Sequence, residues 1–143
     1  MKKLKRAISL VIKNEKGEVF MVRRSPSKNT FPGHWSLPAA NLSEEEEFGE
    51  SALRLAKTKL GLGGIKIAND PLAVSDVVER PKNLLKMFNY SVMEIEGDFC
   101  LNENEYTEYK WFVAEEFLQH VNDEHDGLMG ECTRNLLKHE GLL

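Results

Sequence analysis

The sequence predicts a single α/β domain over residues 1–143, and two observations support this prediction. Runs rich in β-branched and aromatic residues, typical of strands, flank a central segment with the start signal, apolar period and stop signal of a helix. A chain of 143 residues also has a size that forms one hydrophobic core, in which about two thirds of the unfolded surface is buried. The pattern shows neither an internal repeat nor a second domain.

Composition and charge exclude several classes of function. Lys and Arg total 19 against 23 Asp and Glu, a net charge of -4 that argues against a broad nucleic-acid surface. The basic residues 1–6 precede a short apolar run that is too short for a membrane span and lacks a signal-cleavage pattern. Cys100 and Cys132 lack the paired spacing of a zinc site. We expect a cytoplasmic protein that binds neither nucleic acid nor membranes.

The first elements are predicted to be a hairpin and a long loop. Residues 7–12 and 19–22 have strand composition, and the polar residues between them include Gly17, which can adopt a positive φ. Residues 25–42 contain Pro26, Pro32 and Pro38 without a sustained period, which predicts a surface loop. Loops of this length usually serve a function.

A helix is predicted over residues 43–60. Ser43 and Glu46 have the spacing of a capping box, in which each side chain bonds the backbone N–H of the other. An apolar stripe at helical spacing follows, and Gly61 provides the stop signal. The stripe consists of Ala52, Leu53, Ala56 and Leu60.

Later segments complete the α/β pattern. Four further runs have strand composition, at residues 65–68, 72–78, 84–95 and 110–113. Two amphipathic segments predict short helices at residues 114–121 and 128–139.

The central segment resembles the Nudix box of nucleoside-diphosphate hydrolases. The box runs from a Gly through a Glu and an Arg to a final Gly at fixed spacing, and here Ala40, Glu46, Arg54 and Gly61 occupy those four positions. The approach Gly33-His34-Trp35-Ser36-Leu37-Pro38 and residues 13–18 and 105–113 are similar to other landmarks of the family, in family order. The resemblance implies an α/β/α sandwich, with a curved mixed β-sheet between helices. It also implies hydrolysis of nucleoside diphosphates linked to another group, with Mg²⁺ or Mn²⁺ as cofactor.

The box departs from the family pattern at its metal-binding acids. The three family carboxylates fall on Leu55, Thr58 and Lys59, positions that share one helix face because they are i, i+3 and i+4. A change from three negative charges to one positive charge would disfavour an ordinary Mg²⁺ site. Either the site has decayed and Lys59 is solvated, or its ammonium replaces the metal and pairs with phosphate oxygens. Ala39 and Ala40 also stand where the family has glycines, so the loop geometry is expected to differ.

Other residues near the box are candidates for ligand contacts. The resemblance makes Arg23, Trp35, Lys59 and Glu108 candidates for substrate binding, and Glu46, Glu105 and Glu108 weak candidates for metal binding.

Several of these residues also have structural roles to fill. We expect Glu46 to act as the capping acid and Arg54 to pair with Glu50 one turn earlier. Trp35 is expected to pack against the sheet. Arg23 and Arg24 end a strand and point to opposite faces, so only one of them can face a ligand.

Three functions therefore remain open from the sequence. The first is a Nudix-fold protein with impaired or absent metal-dependent hydrolysis that still binds a nucleotide or nucleotide-sugar. The second is an active pyrophosphohydrolase whose metal is held by carboxylates outside the box helix. The third is a non-catalytic protein-interaction domain.

Overall fold

The computed structural model describes residues 1–28, 32–113, 115–116 and 131–141. The strands and helices in this part of the chain are β1 Lys3–Val11, β2 Val19–Arg24, β3 Trp35–Ser36, β4 Ala39–Asn41, α1 Phe48–Lys59, β5 Gly64–Ile67, β6 Ala73–Val74, β7 Val78–Glu79, β8 Asn83–Glu96, β9 Tyr106–Phe112 and α2 Glu131–His139.

The strands form two sheets. The larger sheet has the order β4-β1-β8-β5, and the short strands β6 and β7 also pair with β8. Strands β1 and β8 are parallel over their full contact, whereas the other pairs in this sheet are antiparallel. The second sheet is antiparallel, with the order β3-β2-β9. The expected mixed sheet is confirmed.

The predicted hairpin forms only at its turn. A single bridge joins Lys13 to Val19, and the side-chain oxygen of Asn14 accepts from the backbone N–H groups of Lys16 and Glu18. Beyond this turn, β1 and β2 separate into different sheets. The last five residues of β1 are buried consecutively, as expected for a strand covered on both faces, and its partners are β8 and β4.

The segment predicted as one long loop contains two short strands. Strand β3 pairs with β2, and β4 pairs with the edge of β1. Pro38 lies between the two strands, where the absence of an N–H donor disrupts neither ladder. Pro38 therefore separates two short strands, and the prediction of an uninterrupted loop was wrong.

Helix α1 begins at Phe48, five residues after the predicted start. The Ser43 N–H does donate to the Glu46 carboxylate at 3.1 Å, but these residues form a turn. The cap is four residues further along, where the Glu50 carboxylate accepts from the Glu47 N–H at 3.2 Å. Residues 43–50 thus contain two consecutive capping patterns, and the second one starts the helix.

The end of α1 agrees with the prediction. Gly61 has φ 70°, and a Cβ atom at this position would collide with the carbonyl oxygen of Cys100. Only glycine fits this approach without strain.

The later elements agree with the predictions, except that one predicted strand is divided into two. The predicted strand over residues 72–78 is two short strands, β6 and β7, and both pair with β8. Helix α2 confirms the last predicted helix from residue 131 onward. Apart from residues 115–116, the predicted helix over residues 114–121 lies outside the described residues. No helix in the described ranges is long and apolar enough to cross a membrane.

The larger sheet is packed on both faces. Alternation along β1 directs Ile8 and Leu10 into a core that includes α1, and Ala7 and Val11 into a second core that includes α2. The sheet therefore lies between helices, which confirms the expected α/β architecture. Leu55 of α1 is fully buried in the first core.

We predict that Leu55→Ala destabilises the fold far more than Leu53→Ala. Leu55 is 0% exposed and Leu53 is 37% exposed on the same helix. A buried Leu→Ala change costs about 2–5 kcal/mol through lost burial and a residual cavity, whereas the exposed site should change stability by about 0.5 kcal/mol or less. Urea unfolding followed by circular dichroism measures both values. Equal losses would show that Leu55 is not a core residue.

Candidate ligand-binding site

The three substituted box positions do not converge on one point. The Leu55 side chain is turned into the core, and Thr58 is exposed and donates its hydroxyl to the Arg54 carbonyl at 2.7 Å. Only Lys59 extends toward the neighbouring strand β4. The expectation that the three share a single accessible face is therefore wrong, because the side at residue 55 packs on the sheet.

Lys59 places its ammonium group at the edge of the larger sheet. Its Nζ donates to the Ala39 carbonyl oxygen at 3.1 Å and lies 3.6 Å from a carboxylate oxygen of Glu105. The side chain is only 19% exposed. Burial lowers the pKa of Lys59 below its ordinary value of 10.5, and the charges of Arg24 and Lys28 lower it further against the opposing effect of Glu105. Lys59 is not the solvated helix residue of the decayed-site hypothesis.

The segment before β9 brings Glu105 to this ammonium. The backbone N–H groups of Cys100 and Asn102 donate to the carbonyls of Leu60 and Lys59, at 2.8 and 3.0 Å. The Asn102 side chain donates to the Thr58 carbonyl. These bonds satisfy carbonyls that the end of a helix leaves without partners, and they fix the segment that carries Glu105.

Glu105 is shared between two lysines. Its carboxylate lies 2.8 Å from the Lys28 Nζ as well as 3.6 Å from the Lys59 Nζ. Burial acts to raise the pKa of Glu105, but the Lys28 hydrogen bond and the charges of Lys59, Lys28 and Arg24 outweigh it and hold the pKa below its ordinary value. Glu105 is therefore ionised, and one carboxylate faces two ammonium groups.

Arg54 pairs with Glu46 and not with Glu50. Its Nε and Nη2 atoms lie 3.0 Å from the two Glu46 carboxylate oxygens, and Nη2 also donates to the Asn41 carbonyl at 2.7 Å. The hydrogen bond from Arg54 lowers the pKa of Glu46. The segment before α1 folds back along the helix, so Glu46 comes within reach even though it lies outside the helix. Glu50 is used for the helix cap.

The other substrate-binding candidates lie elsewhere. Arg23 forms a salt bridge with Glu108 at 3.0 Å across β2 and β9. Trp35 is 8% exposed and packs edge-on against Phe112, as expected for a core residue. A cavity beside Lys59, described below, is lined by Arg24. Arg23, Glu108 and Trp35 do not line it.

The residues present do not fit a divalent metal ion. Each of the three weak metal-binding candidates is already paired with a cation: Glu46 with Arg54, Glu105 with Lys28 and Lys59, and Glu108 with Arg23. Within the described ranges, no three His, Cys, Asp or Glu side chains are grouped so that they could hold a metal ion. At the box itself, an ammonium group occupies the β4 edge.

A cationic cavity of about 570 Å³ opens beside Lys59. Ala39 and Ala40 contribute to its wall, and both lie in the extended strand β4, paired with Ser9 and Ile8. Among the described residues that line it, the charged side chains are Lys5, Arg24, Lys28, Lys59, Arg80, Lys82 and Glu105. Sequence reasoning missed four of these cations, because they come from β1, the segment after β2 and the β7–β8 turn, and no local spacing connects them.

A second cavity of about 600 Å³ lies on the α1 side of the sheet and has the opposite charge. The acidic residues 44–47 line it, together with Phe48 and Tyr90. Size does not distinguish the two cavities, but charge does. Of these two cavities, the one beside Lys59 suits a phosphorylated ligand.

Comparisons with known proteins bear on the family and the fold of this chain. A model of the NUDIX domain matches residues 3–133. The uncharacterized Nudix hydrolase YfcD of Escherichia coli strain K12 is 28% identical over 112 residues, which are 78% of this chain and 60% of YfcD. The isopentenyl-diphosphate Delta-isomerase of Paenarthrobacter aurescens is 40% identical over 62 residues, which are 43% of this chain and 34% of the isomerase. The chain thus spans less than two thirds of either relative.

Solved structures show the same fold at low sequence identity. The MutT protein from Methanosarcina mazei Go1 superposes with a TM-score of 0.77 at 20% identity, over 98% of this chain and 95% of that one. The NUDIX domain of Shewanella oneidensis NrtR, solved in complex with ADP ribose, superposes with a TM-score of 0.57 at 18% identity, over 83% of this chain and 77% of that one. Because the family model extends over both sheets, the box helix and the cationic cavity, the chain belongs to the Nudix family.

Proposed function

We propose that this protein binds a nucleotide or nucleotide-sugar through its phosphate groups without a divalent metal, and that it lacks the metal-dependent hydrolysis of the family. The observation that carries the proposal is the ammonium group of Lys59. It sits where the box would offer carboxylates to a metal, and it faces a cavity with a large excess of positive charge.

The contacts of Lys59 leave it able to bind a ligand. An ammonium group has three N–H donors, and among the described residues its oxygen partners are Ala39 and Glu105. Lys59 and Lys28 share the single carboxylate of Glu105, so one positive charge of this group is not neutralised. A phosphate group supplies the negative charge that neutralises it, and one of the phosphate oxygens accepts a strong, charge-assisted hydrogen bond.

Phosphate binding by Lys59 does not provide the other requirements of hydrolysis. A metal ion in such a site lowers the pKa of its bound water and generates the nucleophile, and an ammonium group does neither. Leu55, Thr58 and Lys59 also offer no carboxylate on the helix to act as a general base. Ground-state binding without turnover is the expected result.

The described contacts favour this function over the other two hypotheses. Four of the carboxylates outside the helix that an active hydrolase could use, Glu44, Glu46, Glu105 and Glu108, are held in salt bridges. For a non-catalytic protein-interaction domain, a concave cavity lined by six cationic side chains is less suitable than for a small anionic ligand. NrtR, a protein of the same fold, holds ADP ribose, so ADP-ribose is a suitable first test ligand. A cytoplasmic location would give access to such ligands.

We predict that ADP-ribose binds with the same affinity in EDTA and in Mg²⁺, and that Lys59→Met weakens binding about tenfold or more, the cost of losing a charge-assisted hydrogen bond. Lys57→Met is the matched control, because Lys57 is exposed on the same helix. Isothermal titration calorimetry measures each dissociation constant, and thermal unfolding checks that each variant is folded. Binding that requires Mg²⁺, or equal losses in both variants, would refute the proposal.

The pH dependence of binding provides a second prediction. The lowered pKa of Lys59 means that its charge is lost at lower pH than in an ordinary lysine. The affinity for ADP-ribose should therefore be highest near neutral pH and fall as the pH rises toward 10.5, while the charge of the diphosphate stays constant. In Lys59→Arg the guanidinium remains charged, so its affinity should fall less over that range. Parallel curves for the two proteins would show that Lys59 does not titrate in the site.

We also predict negligible Mg²⁺- or Mn²⁺-dependent hydrolysis of ADP-ribose, nucleoside triphosphates and dinucleoside polyphosphates. Phosphate release and chromatography of the products measure this. Turnover of about 1 s⁻¹ or more, an ordinary enzymatic rate, would instead support the hypothesis of an active hydrolase with carboxylates outside the box.

A further inference from the structure

The cationic side chains of the cavity fall into two groups. Arg24, Lys28 and Lys59 surround Glu105, and we call them the box cluster. Lys5, Arg80 and Lys82 lie at the other end, where β1 begins and β7 turns into β8, and we call them the distal cluster.

Strand register gives the separation of the two groups. Lys59 contacts Ala39, which pairs with Ser9 of β1, and Lys5 is four residues earlier on the same strand. At a rise of about 3.3 Å per residue, these backbone positions are roughly 13 Å apart along the sheet. Lys82 directly precedes Asn83, which pairs with Lys3, so the β7–β8 turn lies at the same end as Lys5.

Three apolar side chains lie on the sheet between the two clusters. Ala7, Leu85 and Met87 line the cavity there, and register places Lys5 beside Leu85 and Ala7 beside Met87. Such a floor suits the uncharged part of an organic ligand, whereas the cations at both ends suit anions.

Among the described lining residues the one acid is Glu105, which lies at the box cluster, so no lining carboxylate opposes the charges of Lys5 and Lys82. Lys5 and Lys82 are exposed, and so little desolvation opposes their charge. Three cations in one place attract an anion more strongly than a single surface lysine does.

We propose that the distal cluster is a second anion subsite, so that the preferred ligand is a nucleotide with a further phosphate on a ribose hydroxyl in addition to its diphosphate. This inference rests on the proposed function, which places the diphosphate at the box cluster. The second phosphate lies at Lys5, Arg80 and Lys82, and the apolar floor carries the part of the ligand between the two anions.

The test compares ADP-ribose with 2′-phospho-ADP-ribose by calorimetry in EDTA at low salt. The wild-type protein should bind the 2′-phosphorylated ligand about tenfold more tightly, because its additional phosphate forms charge-assisted contacts with the distal cluster. Arg80→Ala with Lys82→Ala should reduce that preference to within about twofold, while the affinity for ADP-ribose changes by less than about threefold, because the box cluster is intact. Raising the salt concentration should also reduce the preference.

Lys86→Ala is the matched control. Lys86 follows Leu85 on β8, so its side chain leaves the opposite face of the sheet, where its Nζ lies 6.0 Å from the centroid of the Phe88 ring. This variant should keep the full preference. Lys5→Ala, which lies outside the turn, should reduce the preference for the 2′-phosphorylated ligand. This variant replaces the double variant in the test if the double variant does not fold.

The outcomes separate this inference from the proposed function. Equal binding of the two ligands by the wild-type protein, or a preference that survives both Lys5→Ala and the double variant, would overturn the second subsite and leave the proposed function standing. Failure of the wild-type protein to bind either ligand would overturn both.

Discussion

The candidate site depends on the contacts of the partly buried ammonium group of Lys59. This group joins three elements that are far apart in sequence: the end of α1, the Ala39 carbonyl on the edge strand β4, and Glu105 before β9. A charge held away from water is costly unless oxygen partners surround it. The helix end, the strand edge and the Glu105 segment are therefore held together around one cation, and the cavity opens at their junction.

A fixed cation in this place changes what a Nudix fold can do. A divalent metal requires several carboxylates, carries two charges and activates its bound water, whereas a lysine belongs to the chain itself, carries one charge and holds no metal-bound water. The carboxylates that remain near the site are consistent with this exchange, since Glu105 and Glu46 each pair with a cation of the protein. In the proposed function, phosphate binding therefore needs no metal ion, and the metal-dependent hydrolysis of the family is absent.

Local patterns predicted the fold class, the positions of most strands, the end of α1 and the core position of Trp35. They failed where two partners competed. Glu46 and Glu50 both lie within reach of Arg54, and only the backward fold of the segment before α1 selects Glu46. Likewise the turn between β1 and β2 was recognisable, but the choice of β8 as the partner of β1 depends on residues about 80 positions away in the register. The importance of Lys59 was visible from box spacing, whereas Arg24, Lys5 and Lys82 gather only through that long-range pairing.

The same register links stability to ligand choice. Because side chains alternate along a strand, a slip of β1 by one residue against β8 would turn Lys5 and Ala7 away from the cavity and also move Ile8 and Leu10 out of the core. The cavity floor is thus fixed by core packing. The β7–β8 turn at its distal end is under no such constraint, since Pro81 and Lys82 are exposed. Substitutions in this turn can alter which anions are accepted at little cost in folding free energy, whereas the Lys59 end of the cavity cannot change without disturbing the contact between α1 and β4.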